Sequence, residues 1–181
     1  TAALELLRKL SADTRDVTLP QLADITFPVN TEMYAYHAAW FQKTPNLYQP
    51  PLRKRLERGA AVPAATYAQA RREVDRLRRD ITRIFGSVDL LVTPTTKLFP
   101  YTIEESRKRD YEEIVPDVTL SNTGPFNILG LPALSVPCGF SASGLPIGLQ
   151  ITGAPWAEPA VLALAHAYQK ATDWHSRRPQ L

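Results

Sequence analysis

The strongest hydrophobic pattern in the chain is a stripe of apolar residues across positions 63–85. These residues recur at alternating spacings of three and four, with Arg and Asp on the other faces: Tyr67, Ala70, Val74, Leu77, Ile81 and Ile84. This spacing predicts one long amphipathic helix that Gly86 closes. A shorter stripe of the same kind predicts a helix over residues 2–10.

Weaker patterns predict further helices. Their spans are Glu32–Gln42 with Thr31 as N-cap, Pro51–Gly59 with Pro51 in the first turn and Gly59 as the stop, Asp117–Leu129 closed by Gly130, and 158–171. Residues 44–50 form a proline-bounded loop between two of these helices. The charged stretch 101–114 is expected to be a solvated, irregular excursion.

Short apolar runs next to proline or glycine predict the strands. They are Val17–Leu19, Asp89–Thr93, Ala133–Pro137 and Leu149–Thr152, the last two joined by a turn at Ser141–Gly144. Helices that alternate with strands are typical of α/β proteins. Gln150 is a polar residue inside an apolar strand, so it is expected to have a buried hydrogen-bond partner.

Composition narrows the class of protein. The chain has 181 residues, 44% of them hydrophobic, which is enough for a buried core in one domain. A single cysteine and three dispersed histidines exclude a disulfide framework and any local metal-binding motif. No apolar run approaches the length of a membrane span and no signal peptide opens the chain, so a cytoplasmic protein without a membrane partner is expected.

The first residue is Thr, and the helix over residues 2–10 has no N-cap ahead of it. We therefore expect the chain to be a piece of a longer protein.

The usual nucleophile arrangements do not occur in this sequence. There is no G-x-S-x-G turn and no S-x-x-K pair, and Ser106 and Lys108 lie in the charged excursion, where nothing would lower the pKa of the lysine. Cys138 ends an apolar strand and is expected to be a small buried side chain rather than a nucleophile. His166 is expected to be an ordinary core or surface residue of the last helix.

A basic run between Arg53 and Arg83 has ten Lys or Arg residues and four acidic ones, and the whole chain has a net charge of +3. Such a run could bind phosphates in a nucleic acid. Asp75 and Glu73 are spaced to pair with Arg79 and Arg76 on one helix, and no aromatic residues alternate with the basic ones as a stacking surface. A solvated helix face is favoured, and a basic RNA-binding module stays open as an alternative.

The last third of the chain carries a more specific pattern. Residues 127–139 read N-x-x-G-x-P-x-x-S-V-P-x-G, and residues 144–153 read G-x-P-x-G-x-Q-x-x-G. This arrangement resembles the closing segment of the amidase signature family, whose members include amide hydrolases and the glutamine-hydrolysing component of the glutamyl-tRNA amidotransferase. The segments R-K-R-L-E-R-G at 53–59 and D-L-L-V-T-P-T at 89–95 are similar to the family in order and spacing.

The resemblance implies a fold and a division of labour. Residues 1–181 would form the C-terminal part of a single amidase domain, with a mixed β-sheet flanked by α-helices. The family's catalytic Ser, bridging cis-Ser and Lys belong to an N-terminal Gly/Ser-rich region that has no counterpart here, so no catalytic residue is carried over. No metal or organic cofactor is implied. The isolated chain is expected to be inactive on amides.

The resemblance also suggests which residues line the acyl-binding side of the pocket. The candidates are Thr123 and Asn127, followed by Tyr34 and Arg55. In the tRNA amidotransferase, an Asp precedes this helix and binds the substrate amine. The matching slots here hold Leu120 and Ser121, with Asp117 offset, which argues against glutamine as the substrate.

Two functions from different classes follow. The first is part of an amidase that hydrolyses a carboxamide through an acyl-serine intermediate, with a small-molecule amide and the N-terminal portion of the same protein as partners. A homodimer is left open, as is the corresponding component of a tRNA-dependent amidotransferase. The second is a non-catalytic basic module that binds RNA. The strands Val17–Leu19 and Leu90–Thr93 are expected to lack neighbours unless the remaining part of the fold is present.

Overall fold

The computed structural model describes residues 2–19, 27–108 and 122–178, with Phe27 described by its backbone alone. The helices are α1 (Ala2–Leu10), α2 (Phe27–Lys43), α3 (Pro50–Ala60), α4 (Ala64–Ile84), α5 (Ile103–Lys108), α6 (Thr123–Leu129) and α7 (Glu158–Lys170). The strands are β1 (Leu90–Pro94), β2 (Ala133–Phe140) and β3 (Pro146–Gly153). Short 3₁₀ turns span Pro45–Leu47 and Trp174–Ser176. None of the described helices is both long and apolar enough to cross a bilayer.

The described strands form a sheet in the order β1–β3–β2, and both pairs are antiparallel. β2 and β3 make the predicted hairpin, whose turn is closed by the Ser141 N–H donating to the Leu145 carbonyl at 2.8 Å. A bulge interrupts the β2–β3 register between Pro137 and Gly139. The sheet flanked by helices confirms the predicted α/β class, and β1 has a paired neighbour on one side only within the described residues.

Alternating residues of the sheet face two different helix layers. On one face Leu134, Val136, Leu149 and Ile151 pack with α1 and α7 in a cluster that includes Tyr168. On the other face Leu91 packs with apolar residues of α4 and α6, namely Val74, Leu77, Ile81, Phe126 and Leu129. The predicted stripe of α4 is therefore the core of the second layer, as its spacing requires.

The segment Val17–Leu19 was predicted to be a strand, and that prediction is wrong. These residues adopt no regular secondary structure. Val17 and Leu19 instead pack against the α4/α6 cluster from an extended segment. Alternating apolar residues report burial on one side, and a run this short does not show whether a neighbouring strand is present to complete the hydrogen bonds.

The N-terminal boundary of α2 also differs from the prediction. The helix begins at Phe27, so Thr31 lies inside it and is no N-cap. Pro28 occupies the first turn, where its missing N–H is tolerated. The Thr31 hydroxyl is buried without a hydrogen-bond partner among the described residues. The cap signal at Thr31 was misleading because proline can itself start a helix.

Gly59 does not stop α3, which continues to Ala60. It lies instead where α3 crosses α2, and an added Cβ would overlap the backbone carbonyl of Asn30 and come within 3.1 Å of the Tyr34 Cβ. Glycine is needed here for close helix packing, not for chain termination.

Part of the charged stretch 101–114 is helical. Thr102 and Glu105 form a reciprocal capping box at the start of α5, with the Thr102 N–H donating to Glu105 Oε2 at 2.8 Å and the Glu105 N–H donating to Thr102 Oγ1 at 3.1 Å. The T-x-x-E spacing was the signal for this helix. Residues 109–114, like the predicted helical positions 117–121, lie outside the described residues. The later end of α6 is confirmed, since Gly130 follows it at φ 71°.

Candidate functional site

The sheet face that meets α4 and α6 changes from apolar to polar along its length. The register places Leu91 beside Thr152, then Thr93 beside Gln150, so these side chains share one face. Thr152 and Gln150 are buried, whereas Ser135, opposite Gln150 on β2, is exposed. The polar end of this face is therefore the accessible one, and it forms the candidate site.

The buried carboxamide of Gln150 is held by two acceptors. Its Nε2 donates to Thr93 Oγ1 at 3.2 Å and to the backbone carbonyl of Asn122 at 3.0 Å. The expectation that Gln150 needs a buried partner is confirmed. The Asn122 side chain in turn donates from Nδ2 to the Pro94 carbonyl at 2.6 Å. These bonds connect the residue before α6 to both β1 and β3.

Beyond Gln150 the face opens into a small hydroxyl-lined depression. Thr95 Oγ1 and Ser135 Oγ lie 2.6 Å apart and share a hydrogen bond. Gly148 lies beneath them, and a Cβ added there would come within 2.6 Å of the Thr95 hydroxyl and 2.8 Å of the Ser135 hydroxyl. The absence of a side chain at Gly148 is what allows the two hydroxyls to meet over the sheet.

Two of the predicted pocket residues lie beside this polar end. Thr123 is the first residue of α6 and directly follows Asn122. Asn127 is four positions further along, so both residues lie on the same side of the helix. Thr123 is half-buried and Asn127 is exposed. The structure thus brings these two candidates together on one helix that is hydrogen-bonded to the polar face.

The other two predicted pocket residues belong to the α2–α3 hairpin. Arg55 donates to Asn30 Oδ1 from Nε at 3.2 Å and from Nη2 at 3.0 Å, which ties α3 to α2. Tyr34 is half-buried, with its ring perpendicular to Phe41 at a centroid distance of 6.4 Å. Both side chains have partners within the hairpin, on a part of the fold different from α6.

The residues that sequence analysis treated as ordinary have ordinary surroundings. Cys138 is half-buried on the apolar face of the sheet, and burial raises the pKa of its thiol. His166 is exposed on α7, at a shallow groove of about 430 Å³ beside β2. Among the described residues no group of His, Cys, Asp and Glu side chains is arranged to hold a metal ion.

The basic helix α4 carries several ion pairs. Arg76 pairs with Glu73 and with Asp80, and Arg83 also pairs with Asp80. The predicted Glu73–Arg76 pair is confirmed. Asp75 pairs with Arg78, at 3.6 Å, in place of the expected Arg79. Arg78 also donates to the Ile128 carbonyl at 2.8 Å and so connects α4 to α6.

Sequence reasoning missed Asn122, Thr95 and Ser135 as members of the polar face. The T-P-T ending of the strand at 93–95 and the alternation of Gly148 with Gln150 were the available signals. They became a site only when antiparallel pairing placed residues from separate segments side by side.

Comparison with known proteins agrees with this architecture. The family model described as amidase matches residues 3–162. An amidase of Pseudomonas putida is 33% identical over 99% of this chain and 40% of the relative. A glutamyl-tRNA(Gln) amidotransferase component from Chloroflexus aggregans (strain MD-66 / DSM 9485) is 40% identical over 74% of this chain and 28% of the relative.

The solved structure of 6-aminohexanoate cyclic dimer hydrolase complexed with substrate superposes with a TM-score of 0.80 at 26% identity, covering 99% of this chain and 42% of that one. The chain thus spans less than half the length of the proteins it matches. Since the family model extends from α1 into α7 and includes the whole polar face, the chain belongs to the amidase signature family.

Proposed function

We propose that this chain is the C-terminal portion of an amidase that hydrolyses a carboxamide C–N bond. The supporting observation is that Thr123 and Asn127 stand on one side of a helix tied to the accessible polar end of the sheet. The coverage of 40% of the Pseudomonas putida amidase leaves room for a catalytic portion outside residues 1–181. This chain then contributes scaffold and one wall of the substrate pocket.

The chemistry of such an enzyme divides between the two portions. A serine of the other portion attacks the amide carbonyl, a lysine relays the proton through a cis-serine to the leaving amine, and water then releases the acid from the acyl-serine. Side chains of the present chain bind and orient the acyl group. Thr123 and Asn127 are the leading candidates, with Tyr34 and Arg55 as further positions. The partners are a small-molecule amide and the N-terminal portion of the same protein, in a cytoplasmic enzyme for which a homodimer is a further assembly to test.

The second candidate function is the corresponding component of a tRNA-dependent amidotransferase. The 40% identity to the Chloroflexus aggregans protein favours it. The two functions differ in what they require, because an amidotransferase uses glutamine, ATP and partner proteins. An amidase acts alone on simple carboxamides.

The decisive experiment measures ammonia release by the longer protein that contains this chain, purified alone. We expect turnover of at least one member of a panel of aliphatic, aromatic and cyclic carboxamides, without ATP. Thr123→Val and Asn127→Ala should raise KM, and Ser143→Ala, in the exposed hairpin turn, is the matched control. Ammonia release from glutamine alone, dependent on partner proteins, would favour the amidotransferase. No release from any amide would overturn both.

A further inference from the structure

We propose that Gln150 and Asn122 act as a clamp that positions the start of α6, and with it Thr123, for substrate binding. The inference rests on the proposed amidase function and extends it to residues that do not themselves contact the substrate. Gln150 and Asn122 are positioning residues, because they act through the backbone of the segment that carries Thr123.

The first observation is the cost of placing a carboxamide at position 150. Gln150 is 3% exposed and lies in the central strand between Leu149 and Ile151, which are also buried. An amide in such a place is destabilising unless its hydrogen bonds are made. An apolar residue would fill the same space without that requirement. The carboxamide is therefore best explained by what its two N–H groups hold, Thr93 and the Asn122 carbonyl.

The second observation is the unusual use of Asn122. Asparagine before a helix ordinarily accepts a hydrogen bond from an N–H of the first turn. The Asn122 side chain makes no such cap and donates instead to the Pro94 carbonyl at 2.6 Å. Its side chain is thus bonded to β1 while its own carbonyl is bonded to β3. Two bonds from different strands determine where residue 122 lies, and Thr123 follows it covalently.

The third observation concerns α6 itself. The helix has seven residues, too few to hold an orientation without tertiary contacts. Phe126 and Leu129 anchor its later half in the core, and Arg78 binds the Ile128 carbonyl at 2.8 Å. The Gln150–Asn122 clamp is the corresponding anchor for the first turn. Because Thr123 and Asn127 share one side of α6, a tilt of that turn would move both.

The chain provides a matched control for a purely structural role. Thr93→Val removes the other hydrogen bond of the same buried carboxamide and leaves the bond to Asn122 in place. If Gln150 only satisfies the core, then Thr93→Val and Gln150→Leu should have similar effects. If it positions α6, only the variants that break the connection to residue 122 should affect substrate binding.

The experiment measures kcat and KM for a hydrolysed amide in the longer protein that contains this chain, with hydrogen exchange of backbone amides 123–127 as a second readout. Gln150→Leu and Asn122→Ala should each raise KM by about ten-fold or more, with a smaller change in kcat. The double variant should be little worse than either single one. Thr93→Val should leave KM within about two-fold, and only the clamp variants should speed exchange in α6.

An unchanged KM in Gln150→Leu and Asn122→Ala, or an equal rise in Thr93→Val, would overturn the clamp while leaving the amidase function standing. If Gln150→Leu does not fold, Asn122→Ala carries the test, because its side chain bonds from the edge of the sheet. A wild-type protein that hydrolyses no amide is a different outcome, which removes the proposed function and the role of the clamp together.

Discussion

At the scale of single residues, Cys138 and Tyr168 show how burial shifts ionisation in this chain. Both pack in the cluster between the sheet and the α1/α7 layer. Burial raises the pKa of the Cys138 thiol, and burial together with the nearby Cys138 raises the pKa of Tyr168. The neutral forms are favoured in the folded chain, so Cys138 is poorly suited to act as a thiolate nucleophile at neutral pH.

These shifts predict a loss of stability in alkali. A pKa that is raised in the folded state contributes stability below the unfolded pKa, which is about 8.5 for Cys and about 10 for Tyr. That contribution is lost as the pH rises through the folded pKa. We expect the urea midpoint to fall as the pH rises from about 8 to about 10.5, and to fall less in Cys138→Ala. Equal slopes for the two proteins would show that Cys138 does not contribute.

At the scale of elements, two glycines allow close packing for different reasons. Gly59 admits the backbone of α2 against α3, because an added Cβ would overlap the Asn30 carbonyl. Gly148 admits two side-chain hydroxyls over β3, from Thr95 and Ser135. A backbone obstacle cannot be removed by substitution, whereas a hydroxyl can.

This difference leads to a paired prediction. Gly148→Ala should destabilise the chain by about 1–3 kcal/mol, and adding Ser135→Ala should recover part of that loss. Gly59→Ala should cost at least as much and should not be recovered by Asn30→Ala, because the Asn30 carbonyl stays in place. Urea unfolding of these single and double variants measures both effects. Recovery of Gly59→Ala would show that the two helices can separate at low cost.

At the scale of the whole molecule, the chain contains a core and a pocket wall but spans 40% of the Pseudomonas putida amidase. The described sheet ends in β1 on one side and β2 on the other, and each is paired on one side only. Edge strands present unpaired backbone groups. These edges are where we expect the remaining part of the proposed domain to attach.

We predict that the isolated chain turns over no carboxamide, because the serine and lysine of the proposed mechanism lie outside it. The measurement is ammonia release by residues 1–181 alone, compared with the longer protein at equal concentration. Turnover by the isolated chain that is abolished by changing one of its own serines, such as Ser135→Ala, would contradict this. Ser143→Ala is again the control, since its hydroxyl lies in the hairpin turn beside Ser141.

Most of the elements could be predicted from local pattern. The boundaries of α4, the β2–β3 hairpin and the end of α6 follow from period, turn residues and Gly130. The errors occurred where local signals were ambiguous. Val17–Leu19 alternates like a strand without pairing, and Pro28 starts a helix ahead of the cap signal at Thr31.

The sequence by itself determined the family and the need for a partner at Gln150, because glycine and proline spacing and a polar residue in an apolar strand are local facts. Tertiary structure decided which partner that is. Asn122 and Pro94 are 28 residues apart, as are Asn122 and Gln150, yet they are hydrogen-bonded. Such contacts depend on strand order and register, which local periodicity does not encode.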